Sequence, residues 1–302
     1  MLRSALLVLA LLAAQVPPPP EGAPTTPALR RLLDDGGKVE RVATNFQFAD
    51  GPVWIDGALV FTDAARSQIL RWRVGEEPAV VLEDTGGAAG LAIDAASRLL
   101  MAERQRRRVS RREDGEASVL LARVGGQPLT GPTDLALSRD GTIYVVDAPG
   151  RTSRAGATGR VIRISPTGEA TVAVEGLVRP TGVAVSPDGR ELYVADAGRR
   201  ELRVYPTGGA AGTVAPRRLA SILPWKRGVQ GQADGLAVDV AGRLYLAGPG
   251  GIWVLDRNGG RLGVIATPET PSACAFGDAD GRTLYITAET SIYKVRMSAA
   301  AR

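Results

Sequence analysis

Two aspartates stand where a short apolar strand is expected to begin, Asp50 in FADGPVW and Asp234 in ADGLAV. Carboxylates brought together can hold a hard cation or activate a water molecule. The same leading position in four further segments is taken by Ala89, Thr133, Thr181 and Ser272, so five of the six carry side-chain oxygen. Absences narrow the chemistry. The chain of 302 residues has no histidine, which removes Ser-His-Asp triads, Cys-His nucleophiles, His-ligated zinc and imidazole acid–base catalysis. Its one cysteine, Cys274, removes intrachain disulfides and Cys-rich clusters and reads as buried and unpaired. Carboxylates, hydroxyls, amides, arginine, the lysines Lys38, Lys226 and Lys294, and a bound cation remain.

The elements that must position these residues come as a repeat. Segments beginning at Asp50, Ala89, Thr133, Thr181, Asp234 and Ser272 share one plan, with starts 39, 44, 48, 53 and 38 residues apart. The unit from Thr181 shows it most fully. A short apolar strand is followed by a Pro187-Asp188-Gly189 turn, a second strand near Leu192–Ala195, a third near Leu202–Tyr205 and a weaker fourth near Arg218–Leu223. Asp-Gly between apolar runs signals a hairpin, and helical periodicity is scarce after residue 40. Four antiparallel strands repeated six times give an all-β, six-bladed β-propeller. The last unit lacks a fourth strand, whereas residues 38–46 (KVERVATNF) form an orphan strand. Laying that strand outside the last blade closes the ring and removes an open sheet edge.

In such a ring the leading residues of the inner strands face one mouth of the central channel. The loops joining second to third strands, and those joining one blade to the next, share that face. The second strands end there at Asp63, Glu103, Asp147 and Asp196. These acids could form a second ring of oxygen ligands for Ca²⁺, Mg²⁺ or Mn²⁺; for Asp63, Glu103 and Asp196 turn capping and pairing with arginine is the favoured reading. Long insertions at 122–131, 148–160 and 224–233 map to the same face, where binding is commonly built on a rigid scaffold. They bring Trp225 and, with the neighbouring turns, Arg66, Arg104, Arg106, Arg107, Arg108, Arg151, Arg154, Arg199 and Arg200. A cationic rim attracts anionic ligands such as sugar acids or phosphates. Glu103, Arg106, Arg151, Trp225 and Ser272 join Thr133 as candidate substrate contacts.

The N-terminus reads as an export signal. Arg3 precedes a short apolar run, Ala5 to Ala14, ending in small residues. No cysteine follows it for a lipid anchor, and the run is short for a membrane span. Residues 1–14 are therefore expected to be a signal peptide, 15–37 a Pro-rich extended linker and 38–298 the propeller. A periplasmic or secreted location follows. The net charge of +5 is mild and, with export, argues against nucleic acid as partner. A monomer with a small-molecule substrate is expected.

The stretches FADGPVW, LVFTDAARSQILRW, RPTGVAVSPDGRELYVADAGRRELRVY, ADGLAV and SACAFGDADGRTLYITAETSIYKV resemble the gluconolactonase/regucalcin (senescence-marker-protein-like) family of six-bladed propellers over about residues 46 to 297. The middle repeat alone also resembles an NHL repeat. The family resemblance implies one divalent cation at the channel mouth, Ca²⁺ first, with Mn²⁺, Mg²⁺ or Zn²⁺ as alternatives. Its usual ligands are a Glu, an Asn and an Asp, and a second Asn meets metal-bound water or substrate. Here those positions are Asp50, Thr181, Asp234 and Thr133, so only Asp234 keeps the usual residue. Gly131 replaces a common arginine, and Ala89 a commonly polar residue. Asp for Glu draws the carboxylate back by roughly 1.5 Å, and Ca²⁺–oxygen distances are held to about 2.3–2.6 Å.

The resemblance implies metal-dependent hydrolysis of lactones or related esters, with Asp234 as general base and a departed metal shell. The competing expectation is a non-catalytic binding propeller for a small anion, a sugar or a protein partner. Retention of Asp50 and Asp234 favours the first; loss of both asparagines favours the second.

Overall fold

The computed structural model describes residues 18–150, 156–208 and 216–301. The expected signal peptide lies outside them. No helix among the described residues is long and apolar enough to cross a membrane.

Six four-stranded antiparallel sheets form the six blades. Their inner strands are Ala49–Ile55, Ala88–Ile93, Pro132–Leu137, Pro180–Val185, Leu236–Val238 and Pro271–Gly277. Each packs beside the next, and the last packs beside the first, so the ring closes. The strand Val39–Thr44 pairs antiparallel with Ser291–Arg296, Val39 opposite Val295 and Thr44 opposite Ser291, and completes blade six as the orphan segment requires. The insertion after blade two adds a small ribbon, Arg123–Val124 with Gln127–Pro128.

Local chemistry explains the turns. In blade four Gly189 takes a φ of 73°, which glycine adopts without steric penalty. Around it Ser186 Oγ donates to Asp188 and accepts from the backbone N–H of Glu191 at 2.9 Å. The second strands are buried along almost their whole length, as in Ala58–Asp63 and Thr283–Ala288. Both of their faces meet a neighbouring blade, so their sequences run continuously apolar instead of alternating. The core is correspondingly six clusters, one at each blade junction.

The inner strands approach very closely. At Gly182 a β-carbon would run into the carbonyl of Asp234, and at Gly90 into the backbone and carboxylate of Asp134. Glycine at these two positions thus lets neighbouring inner strands come this close.

The stretch expected to be an extended linker is folded over its second half. Thr26 caps a short helix, Pro27–Leu32, accepting from the N–H of Leu29 at 3.2 Å, with Pro27 opening the first turn. The helix docks between blades five and six, where Leu29 is 0% exposed and Leu32 is buried. Backbone bonds from Val264 to Pro24 at 2.7 Å and from Thr26 to Leu262 at 3.2 Å fasten the segment to the outer strand of blade five. Apolar burial outweighed the proline content. Replacing Leu29 with Ala is expected to lower the unfolding free energy by about 2–5 kcal/mol in a denaturant titration; a change below about 0.5 kcal/mol would show that the segment does not dock in solution.

Candidate functional site

Three aspartates are anchored to a common piece of backbone architecture. Asp63, Asp147 and Asp196 end the second strands of blades one, three and four, and all are buried. Each turns back to accept two consecutive backbone N–H groups from the chain entering the inner strand of its own blade. Asp63 holds Gln47 and Phe48 at 2.9 and 3.0 Å. Asp147 holds Thr130 and Gly131 at 2.7 and 2.8 Å. Asp196 holds Val178 and Arg179 at 3.0 and 2.9 Å. An arginine neutralises each: Arg66 at 3.0 Å, Arg160 at 2.9 Å and Arg199 at 3.4 Å. The second held residue lies two positions before Asp50, Thr133 and Thr181 respectively, so these clamps set where the channel residues stand. Their carboxylates are consumed in doing so and form no second ligand ring. Capping and arginine pairing, favoured for Asp63 and Asp196, extends to Asp147.

Above the channel lies a cavity of about 750 Å³ lined by Asp50, Ala89, Thr133, Thr181 and Asp234. Five of the six leading residues therefore meet as the repeat requires. The sixth, Ser272, is 3% exposed. Its hydroxyl donates to the carbonyl of Ala49 at 2.7 Å and pairs with Thr287 at 2.8 Å. It joins blade six to blade one beside Asp50 instead of facing a substrate.

Other expected contacts sit elsewhere. Glu103 is fully buried, bonded to Ser110, to Arg108 at 2.8 Å and to Arg106 at 3.3 Å. Arg106 also pairs with Asp84 at 2.7 Å. Trp225 packs over Gly250 and donates to the carbonyl of Glu21 at 3.3 Å, which ties it to the N-terminal segment. None of these three lines the cavity. Arg151 lies outside the described residues.

One acid was not anticipated. Asp134, immediately after Thr133, points across the channel and accepts from the backbone N–H groups of Leu135 and Val183, both at 2.9 Å. The signal was present in the repeat: the residue after the leading position is Gly51, Gly90, Gly182, Gly235 or Ala273 in the other five units. Only in blade three does a polar side chain project there, into the room left by Gly90.

Asp50, Asp134 and Asp234 are all held above the ordinary carboxylate range, first by desolvation. Burial pushes Asp50 up to about 6, against one bond from Gly51 N–H at 2.9 Å and help from Ser272. Burial, reinforced by the charge of Asp50, pushes Asp134 up to about 7. Asp234 is raised well above the ordinary carboxylate range by burial and then by the charges of Asp50 and Asp134; Gln232 and Arg179 oppose this weakly. Such uncompensated acids in a cleft mark a functional site more often than a structural one.

The donor set was tested against a divalent cation. Among the described residues, no group of three or more acidic or sulfur side chains converges at metal-ligand spacing. A cation would therefore draw on the carboxylates of Asp50 and Asp234, completed by neutral oxygens and water. Thr133 Oγ1 is buried without a hydrogen-bond partner, a costly state unless a ligand completes it. Thr181 Oγ1 donates its proton to the carbonyl of Ala233 at 2.8 Å, so its lone pairs remain for a ligand. Oxygen donors, unbalanced negative charge and an orphan hydroxyl fit a hard cation.

Residues 48–290 match the SMP-30/Gluconolactonase/LRE-like region. The chain belongs to this family. It is 28% identical to a gluconolactonase of Zymomonas mobilis over 301 aligned positions, covering 90% of this chain and 84% of that one. A solved gluconolactonase structure from Xanthomonas campestris superposes with a TM-score of 0.82 at 30% identity, covering 93% and 95% of the two chains. The structure of a calcium-binding regucalcin from Agrobacterium tumefaciens shares the fold, with a TM-score of 0.71 at 18% identity over 84% and 92%.

Two outcomes follow from the clamps and the acids. Asp196→Ala removes the shared acceptor of the Val178 and Arg179 N–H groups and the ion pair of Arg199 and should remove roughly 2–4 kcal/mol of stability; a loss under about 1 kcal/mol in denaturant titration would refute the clamp. The second concerns pH. An unfolded aspartate titrates near about 3.9, whereas Asp50 and Asp134 hold protons to about 6 and about 7 when folded. Between about pH 4 and pH 7 the folded state binds more protons, so this contribution is full below about pH 4 and is lost as pH rises. In chelator-treated protein Asp134→Asn should flatten that fall relative to wild type; parallel pH profiles for the two would count against it.

Proposed function

We propose that this protein hydrolyses lactones or related esters, in the manner of a gluconolactonase, with one bound divalent cation. Family membership supports the activity class. The observation that carries the reading is the meeting of Asp50 and Asp234 in one cavity, where Asp50 has no cationic partner among the described residues. Asp50 and Asp234 would hold the cation, with Thr133 and Thr181 contributing neutral oxygens. When bound, the cation supplies polarisation of the ester carbonyl and stabilisation of the charge that develops on its oxygen. Oxygen donors alone suit Ca²⁺ first.

Asp234 serves as general base. It accepts a proton from water as the water oxygen bonds to the carbonyl carbon. The ring C–O bond then breaks, the departing oxygen recovers that proton, and the product is the open hydroxy acid. Thr133 has a hydroxyl free to orient a substrate oxygen. The position of Thr181 is different: by holding the carbonyl of Ala233 it fixes the backbone next to Asp234. We further propose export to the periplasm or beyond, on the strength of Arg3 and the apolar run Ala5 to Ala14, with the folded N-terminal segment following the signal.

Chelated protein should gain thermal stability on addition of millimolar Ca²⁺, Mn²⁺, Mg²⁺ or Zn²⁺, and Asp50→Asn should lose most of that gain. In a lactone panel, Asp234→Asn should lower kcat by roughly a hundredfold or more. Equal hydrolysis by wild type and variant would remove Asp234 as the base. No metal-induced shift together with no hydrolysis would overturn the enzyme reading in favour of a binding propeller.

A further inference from the structure

The cavity has opposite charge at its two ends. Its floor carries Asp50 and Asp234, with Asp134 beneath; its wall carries Arg104 and Arg179. The two arginines differ in commitment. Arg179 donates to Gln232 at 2.6 Å and lies near enough to Asp234 to ease its ionisation. Arg104 is exposed and, among the described residues, its guanidinium has neither an ion-pair nor a hydrogen-bond partner. Its neighbours in the same turn are placed differently: Arg106 and Arg108 are spent on Glu103 and Asp84, outside the cavity lining.

Arg104 reaches the cavity because of Gly131. The Asp147 clamp holds Gly131 close to the carbonyl of Ala148, where a β-carbon would stand 3.0 Å from that oxygen. The stem of Arg104 crosses that space, with Cγ 3.6 Å and Nε 3.8 Å from where a β-carbon of residue 131 would stand. Arg104 and Thr133 line the same cavity. The guanidinium is thereby delivered from blade two to the wall above Thr133, in blade three. Phe48, 39% exposed, and Val178 supply apolar surface in the same cavity, suited to the C–H face of a sugar ring.

We infer that Arg104 is the specificity residue of an anion subsite, and that the substrate is a sugar lactone bearing a second, non-reacting anionic group. The inference rests on the lactonase reading for its reacting end. Physically, the floor acids repel an anionic substituent and the wall attracts it, so a molecule with a neutral ester at one end and an anion at the other has one favourable orientation. A guanidinium receives carboxylate and phosphate oxygens two at a time, and either anion fulfils the requirement.

The test compares gluconolactone, which is neutral, with phosphogluconolactone and glucarolactone, at low ionic strength and with Ca²⁺ present. Wild type should prefer at least one anionic lactone in kcat/KM by roughly ten- to hundredfold, chiefly through KM, and salt should erode the preference. Arg104→Gln should bring the ratio near one, and Arg104→Lys should retain part of it. Arg107→Gln, in the same turn but outside the cavity, should leave the ratio as in wild type. Which anionic lactone is preferred separates a carboxylate from a phosphate. Calorimetric titration with phosphogluconate and glucarate reads the subsite without catalysis. Binding that Arg104→Gln weakens tenfold, in a protein that hydrolyses no lactone, would support the subsite and overturn the hydrolase reading instead. A wild-type ratio near one, or the same ratio in wild type and Arg104→Gln, would overturn the subsite while the hydrolase reading stands.

Discussion

The geometry of the mouth depends on buried carboxylates holding pairs of backbone N–H groups. Asp63, Asp147 and Asp196 each bind the two residues that lead into an inner strand. Charge-assisted bonds of this kind are about twice as strong as neutral ones, and the attached arginine keeps the charge compensated. The consequence is positional. Asp50, Thr133 and Thr181 each follow a backbone fixed from below, so their side chains enter the cavity from rigid starts instead of mobile loops. A second set of bonds locks the blades to one another at the same height: Ser272 to Ala49, Thr181 to Ala233, Asp134 to Val183 and Thr62 to Ala89. Site and ring closure are thus made from one layer of residues.

Within that layer two classes of acid have opposite surroundings. The clamps are satisfied, each by two N–H donors and a guanidinium. Asp50, Asp134 and Asp234 have no ion pair among the described residues, and the charge of Asp50 burdens the other two. A folded protein does not retain three half-buried, desolvated acids without ion pairs for stability, because an apolar or amide side chain would serve better there. Their tension is relieved by a cation or by protons. The first of these is the role proposed above, and the orphan hydroxyl of Thr133 is a further oxygen without a partner beside them.

The fold was legible because its grammar is local. Asp-Gly turns, six spaced apolar runs and a missing final strand gave the blade count and the closure by Val39–Thr44. The helix at Pro27–Leu32 was equally written, as Thr26-Pro27 followed by Leu29 and Leu32 at helical spacing, but proline-rich composition upstream masked it. The site was half legible. Leading residues could be placed at the mouth by symmetry, and Asp50, Thr133, Thr181 and Asp234 are there. Symmetry could not say which of two neighbours a hydroxyl would choose. Ser272 and Glu103 spend their oxygens inside the protein, and Trp225 turns to the N-terminal segment, for reasons of packing between distant segments that no repeat pattern contains. Asp134 was legible in principle, as a side chain in a column of glycine and alanine.

The same separation of framework from function explains how this member departs from the family's usual residues without losing the site. Thr181 keeps a role that an amide would fill differently: its hydroxyl bonds the carbonyl of Ala233 and so joins blades four and five. Asp50 has its backbone fixed by the Asp63 clamp on one side and the Ser272 bond on the other, so a shorter carboxylate changes reach without changing origin. Beside Gly131 passes the stem of Arg104 from the adjacent blade. A clamped backbone makes such exchanges inexpensive, because each alters one side chain in a cavity and leaves the bonds that build the ring untouched. Specificity can therefore drift along the wall while the acids on the floor stay where the fold puts them.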